Sequence, residues 1–148
     1  AHDLARAMRP KDLLAQAREF GLQLHPVEEA LPLLLHGPVA THWLRWNLGV
    51  EDPEVLEAVR WHSTATRGLS PLAKLTFLAD KLDPQKQRRY PFLEQVRALA
   101  AKDLDAAMLE FLEQESLARI RKGQLVHPGS IEARNELLAG IIFMPTRG

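Results

Sequence analysis

The chain has 148 residues, of which 46% are hydrophobic and 26% charged, values that are typical of a folded globular protein. This length predicts one domain over residues 1–148. The zero net charge argues against a nucleic acid or an anionic membrane as partner, and the lack of cysteine excludes disulfides and thiolate chemistry. The first residues lack the apolar core of a signal peptide and no apolar run could span a membrane, so we expect a cytoplasmic protein.

Helical spacing of apolar residues recurs along the whole chain, and no segment alternates with period two. The predicted fold class is therefore all-α, a compact bundle of about eight or nine helices. Asp52-Pro53 is a clear start signal, with an N-cap followed by proline at the first helical position, and Gly21 is a clear stop signal. The predicted helices cover residues 2–8, 11–20, 27–35, 38–48, 53–61, 71–82, 91–101, 103–122 and 130–142.

Metal-ligand residue types are spread over several of these helices. They are His2, Asp3, His36, His62 and Asp80. Neutral imidazoles mixed with carboxylates suit iron, manganese, cobalt, nickel or zinc. If the helices bring these side chains into one pocket, the chemistry that they support best is metal-assisted hydrolysis.

Each candidate ligand also has an ordinary structural interpretation. His36 and His62 both lie near predicted helix C-termini, where the helix dipole favours a histidine with or without a metal. Asp80 is harder to explain in this way, because its neighbours Phe77 and Leu78 are apolar and a carboxylate there needs a cation or strong donors. We therefore favour a functional role for Asp80.

The remaining histidines and the paired tryptophans favour structural roles. His25, His42 and His127 lie in loops or on a polar helix face, so we interpret them as surface or packing residues. Trp43 and Trp46 are three residues apart and share one helix face, which indicates core or interface packing rather than base stacking. Whether this face forms a homodimer interface is left open by the sequence.

The order of the candidate ligands and the strings around them resemble a known family. The strings AHDLARAM, LLLHGPVA, VRWHSTA, LAKLTFLADKLDP and HPGSIEARN are similar to those of the HD-domain phosphohydrolase superfamily. Within it, they resemble the YqeK-type symmetrical diadenosine tetraphosphate hydrolases, over nearly the whole chain. The resemblance implies an HD-domain fold and cleavage of a dinucleoside polyphosphate, diadenosine tetraphosphate, into two ADP by a metal-bound water or hydroxide.

The resemblance also implies two metal ions, iron first, with manganese, cobalt or zinc as alternatives. It assigns His2, Asp3 and Asp80 to the first metal, with Asp3 bridging, and His36 and His62 to the second. The family has a further histidine ligand on an upstream helix, which this sequence lacks. Because the chain begins without Met and beside a candidate ligand, we expect further residues upstream, including a helix of the same domain. A fusion to a nicotinate-nucleotide adenylyltransferase domain, found in some relatives, stays open.

Residues for catalysis and substrate binding follow from the charge of a polyphosphate. Asp3, as the bridging ligand, and Lys81, as the cation beside Asp80, are assigned to catalysis. The predicted substrate-binding residues offer hydroxyl groups or positive charge, and they are Ser63, Thr64, Arg67, Lys81, Arg88, Arg89 and Arg134. The family arginine after an acidic residue and proline corresponds to Arg88 or Arg89, for which simple solvation is the alternative. For Arg134 the alternative is a structural role, in which it holds the last helix in place.

Two other functions stay open. One is an HD-type hydrolase that acts on guanosine tetraphosphate, a deoxynucleotide or a cyclic dinucleotide. The other is a non-catalytic nucleotide-binding module with a degenerate metal site, which the lack of the upstream histidine motivates.

Overall fold

Helices make up both units into which the chain divides in the computed structural model, which describes residues 1–142. The first unit comprises Ala1–Thr64 and Leu69–Phe77, and the second comprises Ala65–Gly68 and the chain from Leu78 onward. No strand occurs among the described residues, and the predicted all-α class is confirmed. The α-helices are α1 (Pro10–Glu19), α2 (Pro26–Ala30), α3 (His36–Trp46), α4 (Pro53–Trp61), α5 (Pro71–Lys81), α6 (Leu93–Ala100), α7 (Leu104–Arg121) and α8 (Pro128–Ile142). Two short 3-10 helices cover Pro32–Leu35 and Pro84–Lys86.

The first unit is built around the pair α3 and α4. Helix α1 packs against the first 3-10 helix and against α3, and α3 packs against α4. The buried apolar side chains of this core are Ala5, Leu13, Ala17, Leu35, Val39, Ala40, Leu44 and Val59. Burying them removes apolar surface from water, which stabilises the helix packing and fixes the ends of α3 and α4 that carry polar side chains.

Local signals set most helix ends as the sequence predicts. Asp52 caps α4, since its carboxylate accepts hydrogen bonds from the backbone N–H groups of Glu54 at 2.9 Å and Val55 at 3.3 Å. After α1, Gly21 adopts a left-handed φ of 68°, which glycine reaches without a steric penalty. These ends depend on residues next to each other in the chain, which is why they can be predicted from the sequence.

Two predicted helices are wrong in part. Residues 2–8 form successive turns, because the N–H groups of Leu4, Arg6 and Met8 bond to carbonyls three residues earlier. The predicted helix 27–35 is broken into α2 and a 3-10 helix at Leu31, which has φ −127° and ψ 69°. A residue before proline is kept out of the helical region, and Pro32 follows Leu31 here.

Smaller shifts affect two helix starts in the second unit. Helix α6 begins at Leu93, two residues after the predicted start, and α8 begins at Pro128, two residues before it. The ring Nδ1 of His127 accepts the backbone N–H of Gly129 at 3.0 Å, so this histidine caps the start of α8.

In the second unit, α7 packs against both α6 and α8. Its core holds an aromatic group in which the Tyr90 and Phe92 rings lie 5.2 Å and 5.6 Å from the Phe111 ring, respectively. No helix within residues 1–142 combines the length and apolar character needed to cross a membrane.

A strained turn, residues 65–68, also belongs to this unit. Ala65 is fully buried with a left-handed φ of 62°, which is unusual for a residue with a side chain. A Cβ added to Gly129 would lie 2.5 Å from the Ala65 carbonyl oxygen. At the end of the turn, the Gly68 N–H donates to the Glu136 carboxylate at 2.8 Å. The start of α8 and Glu136 therefore hold this turn.

Candidate metal centre

Two buried histidines meet in the first unit. His36 lies between the first 3-10 helix and the first turn of α3, and His62 caps the C-terminus of α4. Their Nε2 atoms are 2.7 Å apart, and the side chains are 8% and 1% exposed. The α3 dipole does not favour a positive charge at His36, because this residue begins the helix rather than ending it. His36 also ends the first 3-10 helix, and His62 ends α4, so the helix-end interpretation stays a prediction for both residues.

Backbone carbonyls orient both rings through Nδ1. His36 Nδ1 lies 2.6 Å from the Leu33 carbonyl oxygen, and His62 Nδ1 lies 2.7 Å from that of Val59. A carbonyl oxygen can only accept, so both Nδ1 atoms carry hydrogen and donate it. In neutral rings the two Nε2 lone pairs then face each other, and they repel unless a cation or a proton lies between them. An imidazole that donates through Nδ1 and offers Nε2 is the usual form of a histidine metal ligand.

A carboxylate lies beside the two rings. Asp3 Oδ1 is 3.9 Å from both His36 Nε2 and His62 Nε2, and its other oxygen is 3.3 Å from His2 Nε2. One ligand atom each from Asp3, His36 and His62 falls within a span of 4.8 Å. The His2 ring meets the His62 ring edge-on, with centroids 5.0 Å apart. Two nitrogens and a carboxylate oxygen fit the divalent first-row metals predicted from the sequence.

The residues directly after His62 differ in their surroundings. The Ser63 hydroxyl lies 3.1 Å from His36 Nε2 and 3.4 Å from His62 Nε2, so it can donate its one proton to either nitrogen. Thr64 is buried, whereas Arg67 is exposed in the strained turn. The phosphate-binding roles of these three residues stay predictions.

In the second unit, Asp80 is held by two lysines. Its side chain is 8% exposed, with Lys81 Nζ 3.1 Å from one oxygen and Lys86 Nζ 2.6 Å from the other. Lys86 Nζ also donates to the Asp80 backbone carbonyl at 2.8 Å. Burial alone would raise the pKa of Asp80, but the charge of Lys81 and the hydrogen bonds from both lysines outweigh it and lower the pKa to about 2. Asp80 is thus a carboxylate with strong partners, as its apolar neighbours led us to expect.

Lys81 is buried with Asp80. Burial lowers the pKa of Lys81, against the raising effect of the nearby charges of Asp80 and Glu115. Lys86 was not among the predicted site residues, although it is the cation of the polar loop that reaches Asp80. In the sequence, the sign of this contact is Asp83-Pro84. Asp83 accepts the Gln85 N–H at 2.9 Å and starts the 3-10 helix that turns the loop back toward Asp80.

The predicted arginines have other surroundings. Arg88 is exposed, and the Arg89 guanidinium lies 5.2 Å from the centre of the Tyr90 ring. Arg134 Nε donates to Glu113 at 3.1 Å, which ties α8 to α7. Their roles in substrate binding stay predictions, and the contact of Arg134 supports its alternative of pinning the last helix.

The other histidines have contacts of their own. His25 caps α2, since its Nδ1 accepts the Val27 N–H at 3.1 Å, and His127 caps α8 in the same manner. His42 stacks flat on Phe20 with ring centroids 3.7 Å apart.

Comparisons with known proteins identify relatives of this chain. No family model matches the chain. The chain is 36% identical over 105 residues to the symmetrical bis(5'-nucleosyl)-tetraphosphatase of Halalkalibacterium halodurans, an alignment that covers 71% of the chain and 55% of that protein. It is 32% identical over 141 residues to the protein of the same name from Bacillus subtilis, covering 94% of the chain and 73% of the relative.

One solved structure is also similar to this chain. A crystal structure described as a predicted HD superfamily hydrolase involved in NAD metabolism, from Clostridium acetobutylicum, matches with a TM-score of 0.85 and 28% identity. The match covers 93% of this chain and 72% of that chain. The chain thus spans about half to three quarters of the length of these relatives.

Proposed function

Because this chain belongs to the family of symmetrical bis(5'-nucleosyl)-tetraphosphatases and has an HD-superfamily fold, we propose that it hydrolyses diadenosine tetraphosphate to two ADP with bound metal ions. The family supports the substrate, since the curated relatives carry this activity in their names. The site supports the metal dependence.

The observation that carries the metal dependence is the facing pair of imidazoles. His36 and His62 donate through Nδ1 to backbone carbonyls, so their Nε2 lone pairs point to one region beside the Asp3 carboxylate. His36, His62 and Asp3 would hold one metal. By resemblance, His2, Asp3 and Asp80 would hold the other metal.

The reaction is the addition of water to a phosphoanhydride. One oxygen–phosphorus bond forms at a central phosphorus, the bond to the central bridging oxygen breaks, and that oxygen leaves with the electron pair. One water is consumed and two ADP are produced. Metal ions would supply an acidified water and positive charge at the phosphoryl oxygens. The carbonyls of Leu33 and Val59 keep both imidazoles in the ligating form throughout.

Positive side chains are needed because the polyphosphate is a polyanion. Lys81, Arg67, Arg88 and Arg89 are proposed for this role, together with the hydroxyl groups of Ser63 and Thr64. Ser63 is the member of this set whose hydroxyl lies beside the imidazole nitrogens. A hydroxyl there can donate to a bound phosphate oxygen as readily as to a ring nitrogen.

Product analysis tests the proposal. The protein is loaded with ferrous iron under reducing conditions, incubated with diadenosine tetraphosphate, and the nucleotides are separated by chromatography. We expect ADP as the one product and loss of turnover after treatment with a chelator. AMP together with ATP, or no turnover with iron, manganese or cobalt, would contradict the proposal.

A pair of histidine variants separates the site from general effects. His62→Gln removes a ring nitrogen from the candidate metal centre and should lower both metal content and turnover. His42→Gln is the matched control, because His42 stacks on Phe20 away from the candidate ligands. Equal losses in both variants would indicate a general effect of histidine replacement.

The alternatives are tested in the same assay. Guanosine tetraphosphate, deoxynucleotides and cyclic dinucleotides are offered as competing substrates, and preferred turnover of one of them would replace the proposed substrate. A non-catalytic binding module predicts that Asp80→Ala leaves nucleotide binding intact. A large loss of binding in this variant would remove that option.

A further inference from the structure

We propose that Gly37 is a positioning residue of the candidate metal centre, required because the backbones of α3 and α4 touch at this point. The inference rests on the proposed function in one respect, namely that His36 and His62 bind metal. Gly37 has no side chain to offer a ligand, and it would act only by setting the spacing between the two imidazoles.

The helices α3 and α4 leave no room for a side chain at residue 37. A Cβ added to Gly37 would lie 2.8 Å from the Arg60 carbonyl oxygen and 2.9 Å from the Val59 carbonyl oxygen. Both atoms belong to the backbone, so neither can rotate away as a flexible side chain could. A methyl group would therefore have to push α3 and α4 apart.

The atoms that this methyl group would displace belong to the site. The Val59 carbonyl is the acceptor that holds His62 Nδ1 at 2.7 Å, and it is one of the two oxygens that a Cβ on Gly37 would strike. His36 directly precedes Gly37 in the chain. One added methyl group would thus move the backbone of the first ligand and the orienting acceptor of the second in opposite directions.

A second contact holds the same crossing together. The Thr41 hydroxyl, one helical turn after Gly37, donates to the Gly37 carbonyl at 2.9 Å and lies 3.5 Å from the Leu56 carbonyl of α4. The crossing of α3 and α4 therefore combines a close backbone approach with a polar side-chain link.

Helix propensity alone predicts the opposite outcome, which makes the inference testable. Alanine is the better helix former, so Gly37→Ala would stabilise α3 if local conformation were all that mattered. Gly140 is a matched control, because it lies inside α8 and no atom of the described residues lies within 4 Å of an added Cβ. Leu44→Ala is a second control, since it weakens the buried side of α3 without entering the crossing at Gly37.

The test measures Co²⁺ binding by calorimetry and by the visible absorption of the bound ion. We expect Gly37→Ala to bind Co²⁺ between about 10-fold and 100-fold more weakly, with an altered absorption spectrum, as is usual when the outer support of a metal ligand is lost. Gly140→Ala and Leu44→Ala should keep the affinity and spectrum of the parent protein. Parent-like affinity and spectrum in Gly37→Ala would overturn the inference.

A metal-independent measurement separates this inference from the proposed function. The His62 Nδ1 proton, which donates to Val59, is followed by nuclear magnetic resonance without added metal. We expect its resonance to shift or vanish in Gly37→Ala and to be unchanged in Gly140→Ala. If the parent protein binds no Co²⁺, the proposed function fails, while this resonance still decides the role of Gly37.

A milder variant covers the case in which Gly37→Ala does not fold. Thr41→Val keeps the side-chain shape but removes the hydroxyl that links the two helices, and it should shift the His62 resonance in the same direction by a smaller amount. Thr41→Ser should restore the parent resonance. An unchanged resonance in Thr41→Val, with Gly37→Ala unfolded or unchanged, would also overturn the inference.

Discussion

Replacing Tyr90 by phenylalanine should remove part of the loss of stability at alkaline pH. Tyr90 is 6% exposed and packs edge-on against Phe111. Burial, aided by the negative charge of Glu115, raises the pKa of the Tyr90 hydroxyl from 10.0 to about 12. The folded protein therefore keeps the phenol neutral in a range where the unfolded chain has already ionised it.

The sign and size of the effect follow from this difference in pKa. Since the folded-state pKa is the higher one, the stabilisation is fully present below pH 10.0 and is lost as the pH rises to about 12. A difference of about two pKa units, at about 1.4 kcal/mol each, corresponds to a loss on the order of 3 kcal/mol in the free energy of unfolding. Phenylalanine cannot ionise, so Tyr90→Phe should lack this part of the loss.

The assay is urea unfolding, followed by far-ultraviolet circular dichroism at a series of pH values from neutral to alkaline. Lysines titrate in both proteins and cancel when the two curves are subtracted. The difference between the parent protein and Tyr90→Phe should be constant below pH 10.0 and should then change steadily in favour of the variant. A difference that stays constant over the whole range would refute the reasoning.

Three further predictions concern backbone contacts, caps and metal binding. Gly129→Ala should lower the free energy of unfolding by about 1–3 kcal/mol, because its Cβ would meet the Ala65 carbonyl, whereas Gly140→Ala should raise it by about 0.5–1 kcal/mol; thermal unfolding compares the two. Asp103→Ala should cost about 1 kcal/mol in the same assay, since the Asp103 carboxylate caps α7, and Asp103→Asn should retain most of the stability. Co²⁺ at about 100 times its dissociation constant should stabilise the parent protein by about 2.7 kcal/mol, and His62→Gln should abolish this gain.

Local signals explain why most of the helices could be predicted. Asp52-Pro53 predicts α4 to the residue, because the cap and the proline act on the backbone next to them. The same locality explains why the prediction of one helix over 27–35 is wrong, because Pro32 acts on the residue before it more strongly than the apolar run favours a continuous helix. Leu31 had to leave the helical region, and the run became two short helices.

The candidate ligands could be named from the sequence, but their arrangement could not. That His36 and His62 place their Nε2 atoms 2.7 Å apart depends on how closely α3 approaches α4, which periodicity does not encode. The glycine directly after His36 is the local sign of that approach, and its meaning becomes clear only from the carbonyls opposite it. Lys86 was missed for a similar reason, because a 3-10 helix, rather than sequence distance, brings it back to Asp80.

The aromatic residues provide each unit with its own optical probe. The three tryptophans, Trp43, Trp46 and Trp61, all belong to the first unit, and the single tyrosine, Tyr90, belongs to the second. Indole emission, excited at the red edge where neutral phenol does not absorb, should therefore report melting around the imidazole pair, whereas the red-shifted absorbance of the Tyr90 phenolate at alkaline pH should report the helices that follow. A spectroscopist can thus follow the two halves of the chain separately without attaching any dye.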